Sequence, residues 1–254
     1  MKAGIIAAGW GERLGQRTPK ALTRVGGRAL IDYALDGLQR AGATEVTCIV
    51  NEAARDVPEY VQRSGRRLAM DWIVRTTPSS MHSFIHVLER LSRHGDDSYV
   101  MTTVDSVAGP AVIQRFVEMS RQFQESDVTL GLTDLIDDEK PLRVAMRGRE
   151  GTGILPARVA DEPGAFEIVA LTNNGFQSEY ITSGFYRVRP AILQEKDAAL
   201  GGGFTALRQF LGHLLKRGYR FYGAPLPAIV DVDRPQDIAA AEHILQTSVS
   251  SFEA

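Results

Sequence analysis

At 254 residues the chain has room for one large α/β domain, or for a domain carrying an insertion. Its 44% hydrophobic and 24% charged residues are the mix of an ordinary soluble globular protein, and a formal charge of −2 gives no general attraction to nucleic acid or anionic membrane. No apolar run approaches the ~20 residues of a membrane span. The first strand starts too early to leave room for a signal peptide, and the lone Cys48 permits no intrachain disulfide. These features point to a cytoplasmic protein with neither a nucleic-acid nor a membrane partner.

The chain opens with an apolar run, Ala3 to Ala8, that has the length of a buried strand and stops in Gly9-Trp10-Gly11. Residues 30–41 carry apolar side chains at 30, 31, 34, 35 and 38, a helical stripe that Gly42 ends. Residues 45–50 then read as a strand, 54–63 as a weaker helix, 68–74 as a strand and 81–91 as a helix. A strong strand over 98–104 ends at Asp105, followed by a helix over 111–123 and a strand over 127–132. This alternation predicts a parallel sheet with crossover helices. It stops at residues 134–180, where short strand-like pieces (142–146, 154–159 and 166–171) are separated by charge, Gly and Pro, as in a small antiparallel lid. Strands at 181–188, 219–223 and 228–232, helices at 205–217 and 236–245, and an unanchored tail from Ser248 complete the expectation, with no repeat and no interdomain linker, so that 1–254 reads as one domain.

Glycines at the end of a strand leave backbone N–H groups open to a phosphate, and Arg13 and Lys20 lie close enough in sequence to neutralise it. Gly9, Gly11 and Gly15 are spaced G-x-G-x-x-x-G, which misses the dinucleotide fingerprint, and the P-loop pattern G-x-x-x-x-G-K-[ST] is absent. Lysine is scarce, at 2, 20, 140, 196 and 216 only, so one placed behind Pro19 stands out. Asp105 follows an apolar strand at the presumed carboxyl edge of the sheet, where open α/β folds bind ligands. A second acidic cluster, Asp231-Val-Asp233-Arg-Pro-Gln-Asp237, precedes the last helix. There Asp233 suits a helix cap and Asp231 is left for a metal. His82 and His86, four apart on a helix, lack the Glu of H-E-x-x-H and a third ligand, which argues against zinc.

Ala7-Ala8-Gly9-Trp10-Gly11-Glu12-Arg13-Leu14 with Pro19-Lys20 closely resembles the nucleotidyltransferase motif A-A-G-x-G-x-R-[LM]…P-K, found in sugar-phosphate nucleotidylyltransferases and molybdenum-cofactor guanylyltransferase-like proteins. The closing cluster looks like the D-V-x-x-P-x-D segment of the same family. The resemblance implies a Rossmann-like, three-layer α/β sandwich of the nucleotide-diphospho-sugar transferase type, with a mostly parallel sheet and residues 134–180 as lid. It implies transfer of NMP from an NTP to a small phosphorylated acceptor, with Mg²⁺ held by Asp105 and Asp231 and Asp233 as the fallback ligand. Arg13 and Lys20 become the catalytic cations, and Ala8, Gly9, Trp10 and Gly11 the triphosphate cradle. Thr76–Ser83 takes the place of the family's base-reading loop, making Ser80 and His82 base or ribose contacts. Thr182-Ser-Gly-Phe-Tyr186 stands where sugar-phosphate enzymes carry N-A-G-x-Y, making Ser183 and Gly184 acceptor contacts. The departures from G-T-A and from N-A-G leave base and acceptor open. A glycosyltransferase of related fold would want a D-x-D that Asp105-Ser-Val107 does not supply, and a non-catalytic nucleotide sensor would have no need of all four charged residues.

Overall fold

The computed structural model describes residues 1–15, 18–135, 141–147, 166–172 and 178–250. In chain order the strands and helices are β1 (Lys2–Ala7), β2 (Arg24–Val25), β3 (Arg28–Ala29), α1 (Leu30–Arg40), β4 (Glu45–Val50), α2 (Asp56–Arg63), β5 (Ala69–Val74), α3 (Ser80–Ser92), β6 (Tyr99–Thr103) and β7 (Ser106–Ala108). Then come α4 (Val112–Ser120), β8 (Val128–Thr133), β9 (Arg143–Arg147), β10 (Phe166–Thr172), β11 (Ile181–Val188), α5 (Lys196–Gly201), α6 (Leu207–Lys216), β12 (Phe221–Pro225), β13 (Ile229–Asp231) and α7 (Pro235–Ser250). The last helix runs past Ser248, where a loose tail was expected, and the expected strand at 154–159 lies outside the described residues.

Nine strands form one sheet in the order β5-β4-β1-β6-β11-β8-β12-β10-β9. The first four are parallel, as the alternation of strands and helices requires, and so are β8 and β12. β11 runs antiparallel to both β6 and β8, and β10 runs antiparallel to β12 and β9. The sheet is therefore mixed rather than mostly parallel. The reason is local: a parallel return needs a crossover of a dozen or more residues, usually helical, and no helix lies between β8 and β11 among the described residues. The described parts of 134–180, β9 and β10, extend the sheet at its edge.

Helices cover both faces. Along β1 the alternation of side chains sends Ala3, Ile5 and Ala7 into a core with α1, α2, α4 and α7, and Ile6 into a second core with α3 and α6. That is the three-layer sandwich. No helix among the described residues is long and apolar enough to cross a membrane. Phe84 of α3 meets Tyr186 of β11 edge to face, with ring centroids 5.6 Å apart, and so ties α3 to the strand that borders the cleft described below.

Helix α3 packs tightly on the sheet at Gly4. A Cβ there would lie 2.5 Å from Val87 Cγ1 and 3.1 Å from both Leu91 and Met101. Gly4 sits in an extended strand, so crowding alone opposes a side chain. Gly4→Ala is expected to lower folding stability by about 1–3 kcal/mol, as over-packing does, read as a fall in the urea midpoint; an unchanged midpoint would contradict this packing.

Candidate active site

β1 delivers the chain at the sheet's carboxyl edge into a loop with two left-handed glycines, Gly11 (φ 73°) and Gly15 (φ 64°), flanking a 3₁₀ turn over Glu12–Leu14. Leu14 is buried and anchors the loop, while Gly9, Glu12 and Arg13 stay exposed. Pro19 starts a second 3₁₀ turn, Lys20–Leu22, and buried Ala21 fixes it. The loop wraps the lysine stem: a Cβ on Gly11 would stand 3.2 Å from Lys20 Cβ. Backbone here must come close, which glycine alone permits at positive φ.

The Lys20 side chain is only 8% exposed, and its ammonium donates to two carboxylates, Asp105 Oδ2 and Asp233 Oδ1, the latter at 2.5 Å. Burial alone would pull the lysine's pKa down; the two acids outweigh it and hold the pKa above the ordinary value. Asp105 responds in kind. Burial pushes its carboxyl up, and Lys20 more than reverses that, leaving it ionised below the usual range. Arg13, on the rim, donates to the other oxygen of Asp233 at 2.9 Å.

A two-stranded ribbon holds the two acidic segments together. β7 and β13 are antiparallel with Asp231 opposite Ser106, and the Val232 N–H donates to the Asp105 carbonyl at 3.0 Å. Ser106 Oγ donates to Asp231 Oδ1 at 2.7 Å and lies 2.7 Å from Thr103 Oγ1. Asp231 faces the open cleft but is crowded from behind. Burial first, and then the Asp105 charge, push its carboxyl up to about 7. The same two acids, after burial itself, keep the Tyr186 hydroxyl protonated well above its ordinary range.

Asp233 is not the helix cap. Asp237, almost fully buried, reaches back and accepts the N–H groups of Asp233 (2.9 Å) and Arg234 (2.7 Å), which frees the Asp233 carboxylate for Lys20 and Arg13. Thr182, Gly184 and Tyr186 line a cleft of about 230 Å³ with Asp105 and Asp231, and buried Ser183 borders an adjoining smaller hollow with Arg13, Asp231 and Asp233, its hydroxyl without a partner among the described residues. Gly184 (φ 75°) passes so close that a Cβ would overlap Ser106 Oγ and Thr103 Oγ1. Ser80 opens α3 on the same cleft and accepts the Leu207 N–H at 3.2 Å, while His82 Nδ1 lies 2.8 Å from Ser79 Oγ. His86 meets Glu89 at 3.5 Å instead of sharing a ligand with His82. Among the described residues no cluster of three or more His, Cys, Asp and Glu side chains could hold a metal. That leaves the hard oxygens of Asp105 and Asp231, a donor pair suited to Mg²⁺ completed by phosphate and water. Sequence reasoning missed the links through Ser106 and Asp237, which rest on strands and a helix start too short to leave a periodic signal.

Residues 3–135 match the model of the MobA-like NTP transferase domain, more than half of the chain. The chain belongs to this family. It is 27% identical over 241 residues to the CMP-5′-(3-aminopropyl)phosphonate synthase of Streptomyces rubellomurinus, a match that takes in 87% of this chain and 32% of that protein. It is 30% identical over 135 residues to the 2-C-methyl-D-erythritol 4-phosphate cytidylyltransferase of Rhodococcus jostii, across 52% of this chain and 57% of the relative. The chain thus spans about a third of the length of the first relative and little more than half of the second. In fold it is similar to the inositol-1-phosphate CTP transferase from T. maritima (TM-score 0.73, 19% identity, 96% of this chain and 95% of the other) and to a UDP-glucose pyrophosphorylase (TM-score 0.74, 16% identity, 99% and 98%).

The raised Asp231 carboxyl has a consequence for stability. The unfolded chain sheds this proton near pH 4, while the folded chain keeps it to about pH 7. Native protein therefore binds more protons in that window, and this group makes stability fall as pH rises from about 4 to 7, then level off. In metal-free buffer Asp231→Asn is expected to remove that part of the slope, read from urea midpoints at pH 5, 6, 7 and 8. A slope identical in the variant would contradict the assignment.

Proposed function

We propose that the chain transfers a nucleotidyl group from an NTP to a small acceptor bearing a phosphate or phosphonate, with release of pyrophosphate. The observation that carries this is the buried Lys20 ammonium between Asp105 and Asp233, with Arg13 on the far oxygen of Asp233 and Asp231 held against Asp105 by Ser106. Two cations tied to one carboxylate beside a glycine loop form a site ready for a polyphosphate. Asp233 occupies the anion's place, and an incoming triphosphate takes over Arg13 and Lys20.

The backbone of Ala8, Gly9, Trp10 and Gly11 cradles the triphosphate, with Arg13 on the β- and γ-phosphates and Lys20 on the α-phosphate. Ser80 and His82 lie toward base and ribose, Ser80 through the outer side of the cleft it lines. Ser183 and Gly184 lie toward the acceptor, Gly184 through the cleft it lines with Asp105. A phosphate monoester is largely dianionic near neutral pH, so no general base is needed. Its oxygen forms a bond to the α-phosphorus while the bond from that phosphorus to the α–β bridging oxygen breaks, and pyrophosphate leaves with the electron pair. Lys20 spreads the charge that develops on the α-phosphoryl oxygens, and the closed loop holds both anions in line. Mg²⁺, held by Asp105 and Asp231, supplies further neutralisation of the triphosphate when bound. CTP is the first nucleotide to try, since two relatives are named for CMP or cytidylyl products.

Mg²⁺-dependent pyrophosphate release is the direct test. Lys20→Ala and Asp105→Ala are each expected to lower kcat by about 10²–10³, the loss typical of one preorganised electrostatic contact. Release that both variants sustain at the wild-type rate would remove the catalytic assignment, and nucleotide binding without release on any acceptor would favour a sensor.

A further inference from the structure

β5 ends the nine-stranded sheet, with β4 on one side and, among the described residues, no strand on the other. Its register with β4 is unbroken over all six residues. The Ala69 N–H donates to the Thr44 carbonyl at 3.3 Å and the Arg75 N–H to the Val50 carbonyl at 2.9 Å, so the odd-numbered residues spend their backbone groups on β4. In an extended strand the alternate residues face the other way. Met70, Trp72 and Val74 therefore turn their N–H and C=O groups to the open edge.

Natural edges are blunted by proline, by a bulge or by an uncompensated charge. β5 has no proline and no bulge, and its one charge is engaged: Asp71 accepts from Thr47 Oγ1 at 3.3 Å and from Arg90 at 3.1 Å. Five of its six residues are apolar, yet none is buried, whereas β1 and β4, equally long, are buried in all but their first residue. Met70 and Trp72 pack only partly on the core beneath α1 and α2, Ile73 only partly on the core beneath α3, and Val74 is 40% exposed.

Such an edge accepts an added strand, and charge separates the registers in which a second copy could supply it. An antiparallel pairing centred on Asp71 sets two carboxylates face to face, which opposes it. Centred on Ile73, the pairing sets Asp71 of each copy opposite Arg75 of the other, in the closely spaced positions that share no backbone bonds, with Ile73 against Ile73 between them. In that register Trp72 of each copy exchanges both backbone hydrogen bonds with Val74 of the other. Arg75 is available for this. It is exposed, and its guanidinium has no hydrogen bond or ion pair among the described residues.

We propose that two copies of the chain join through β5, antiparallel and centred on Ile73, so that one sheet runs through both. The interface is isologous, with its two-fold axis between the paired Ile73 side chains. A single pair of strands makes a dimer that depends on concentration.

Sedimentation equilibrium of the full chain over a concentration series should show a dimer that dissociates on dilution. Val74→Pro removes an outward N–H and leaves the ladder to β4 intact, while Arg75→Glu sets like charges opposite one another. Each variant should be a monomer with the far-UV circular dichroism of the wild type. Ile73→Cys reads the register: mild oxidation should link two copies through residue 73, and Met70→Cys, far from the axis, should stay unlinked. Cys48 is buried and does not compete. A dimer that survives both edge variants, or one that oxidation of Ile73→Cys fails to link, would overturn the pairing. So would a wild-type monomer throughout the series, which would leave the edge to a strand of another protein.

Discussion

A lysine whose side chain is 8% exposed is tolerable only because two carboxylates meet its ammonium. Unpaired, such a group would shed its proton and its charge. Here the pairing reaches across the whole chain, from residue 20 to residues 105 and 233, so the site exists only when the first loop, the middle of the sheet and the segment before the last helix are all in place. Among the described residues of the centre, two cations (Arg13 and Lys20) face three acids (Asp105, Asp231 and Asp233). The surplus is relieved at Asp231, whose carboxyl burial first and then the Asp105 charge push up to about 7, so that it holds its proton. In the reaction proposed above, a divalent cation would offset this surplus and a polyphosphate would displace Asp233.

The fold's contribution is to hold those acids at a fixed spacing. The β7–β13 ribbon sets Ser106 opposite Asp231, and the Ser106 hydroxyl fixes both Asp231 and Thr103. Gly184 then lets β11 pass over this knot without a side chain in the way. Asp237 does a quieter job. By accepting the N–H groups of Asp233 and Arg234, just before the final helix, it fixes the backbone from which Asp233 faces Lys20 and Arg13. Exchange of Asp237 would therefore disturb the site through Asp233, although Asp237 touches neither cation among the contacts described.

The longer strands and helices of the first 133 residues were legible because each carries a full period of apolar positions. Lys20 and Asp105 were legible for a different reason: one follows a proline in a lysine-poor chain and the other ends an apolar strand. Asp233 was read as a cap because its place before Pro235 suits that role, and a sequence cannot show that Arg13 and Lys20, from the other end of the chain, take its carboxylate. The antiparallel half of the sheet was hidden because strand direction follows from connections, and residues 134–180 offered no crossover helix to read. Strands of two or three residues, such as β2, β3, β7 and β13, leave no period at all, yet one such pair builds the acidic floor of the site.

Following the label from [α-³²P]CTP and [γ-³²P]CTP in parallel, with Mg²⁺ and a panel of small phosphate- and phosphonate-bearing acceptors, asks most directly whether this centre moves a nucleotidyl group. Label from the α-position should pass into the acceptor product and label from the γ-position into pyrophosphate. Transfer of the γ-label to the acceptor, or retention of both labels in intact nucleotide while the protein binds it, would contradict the account.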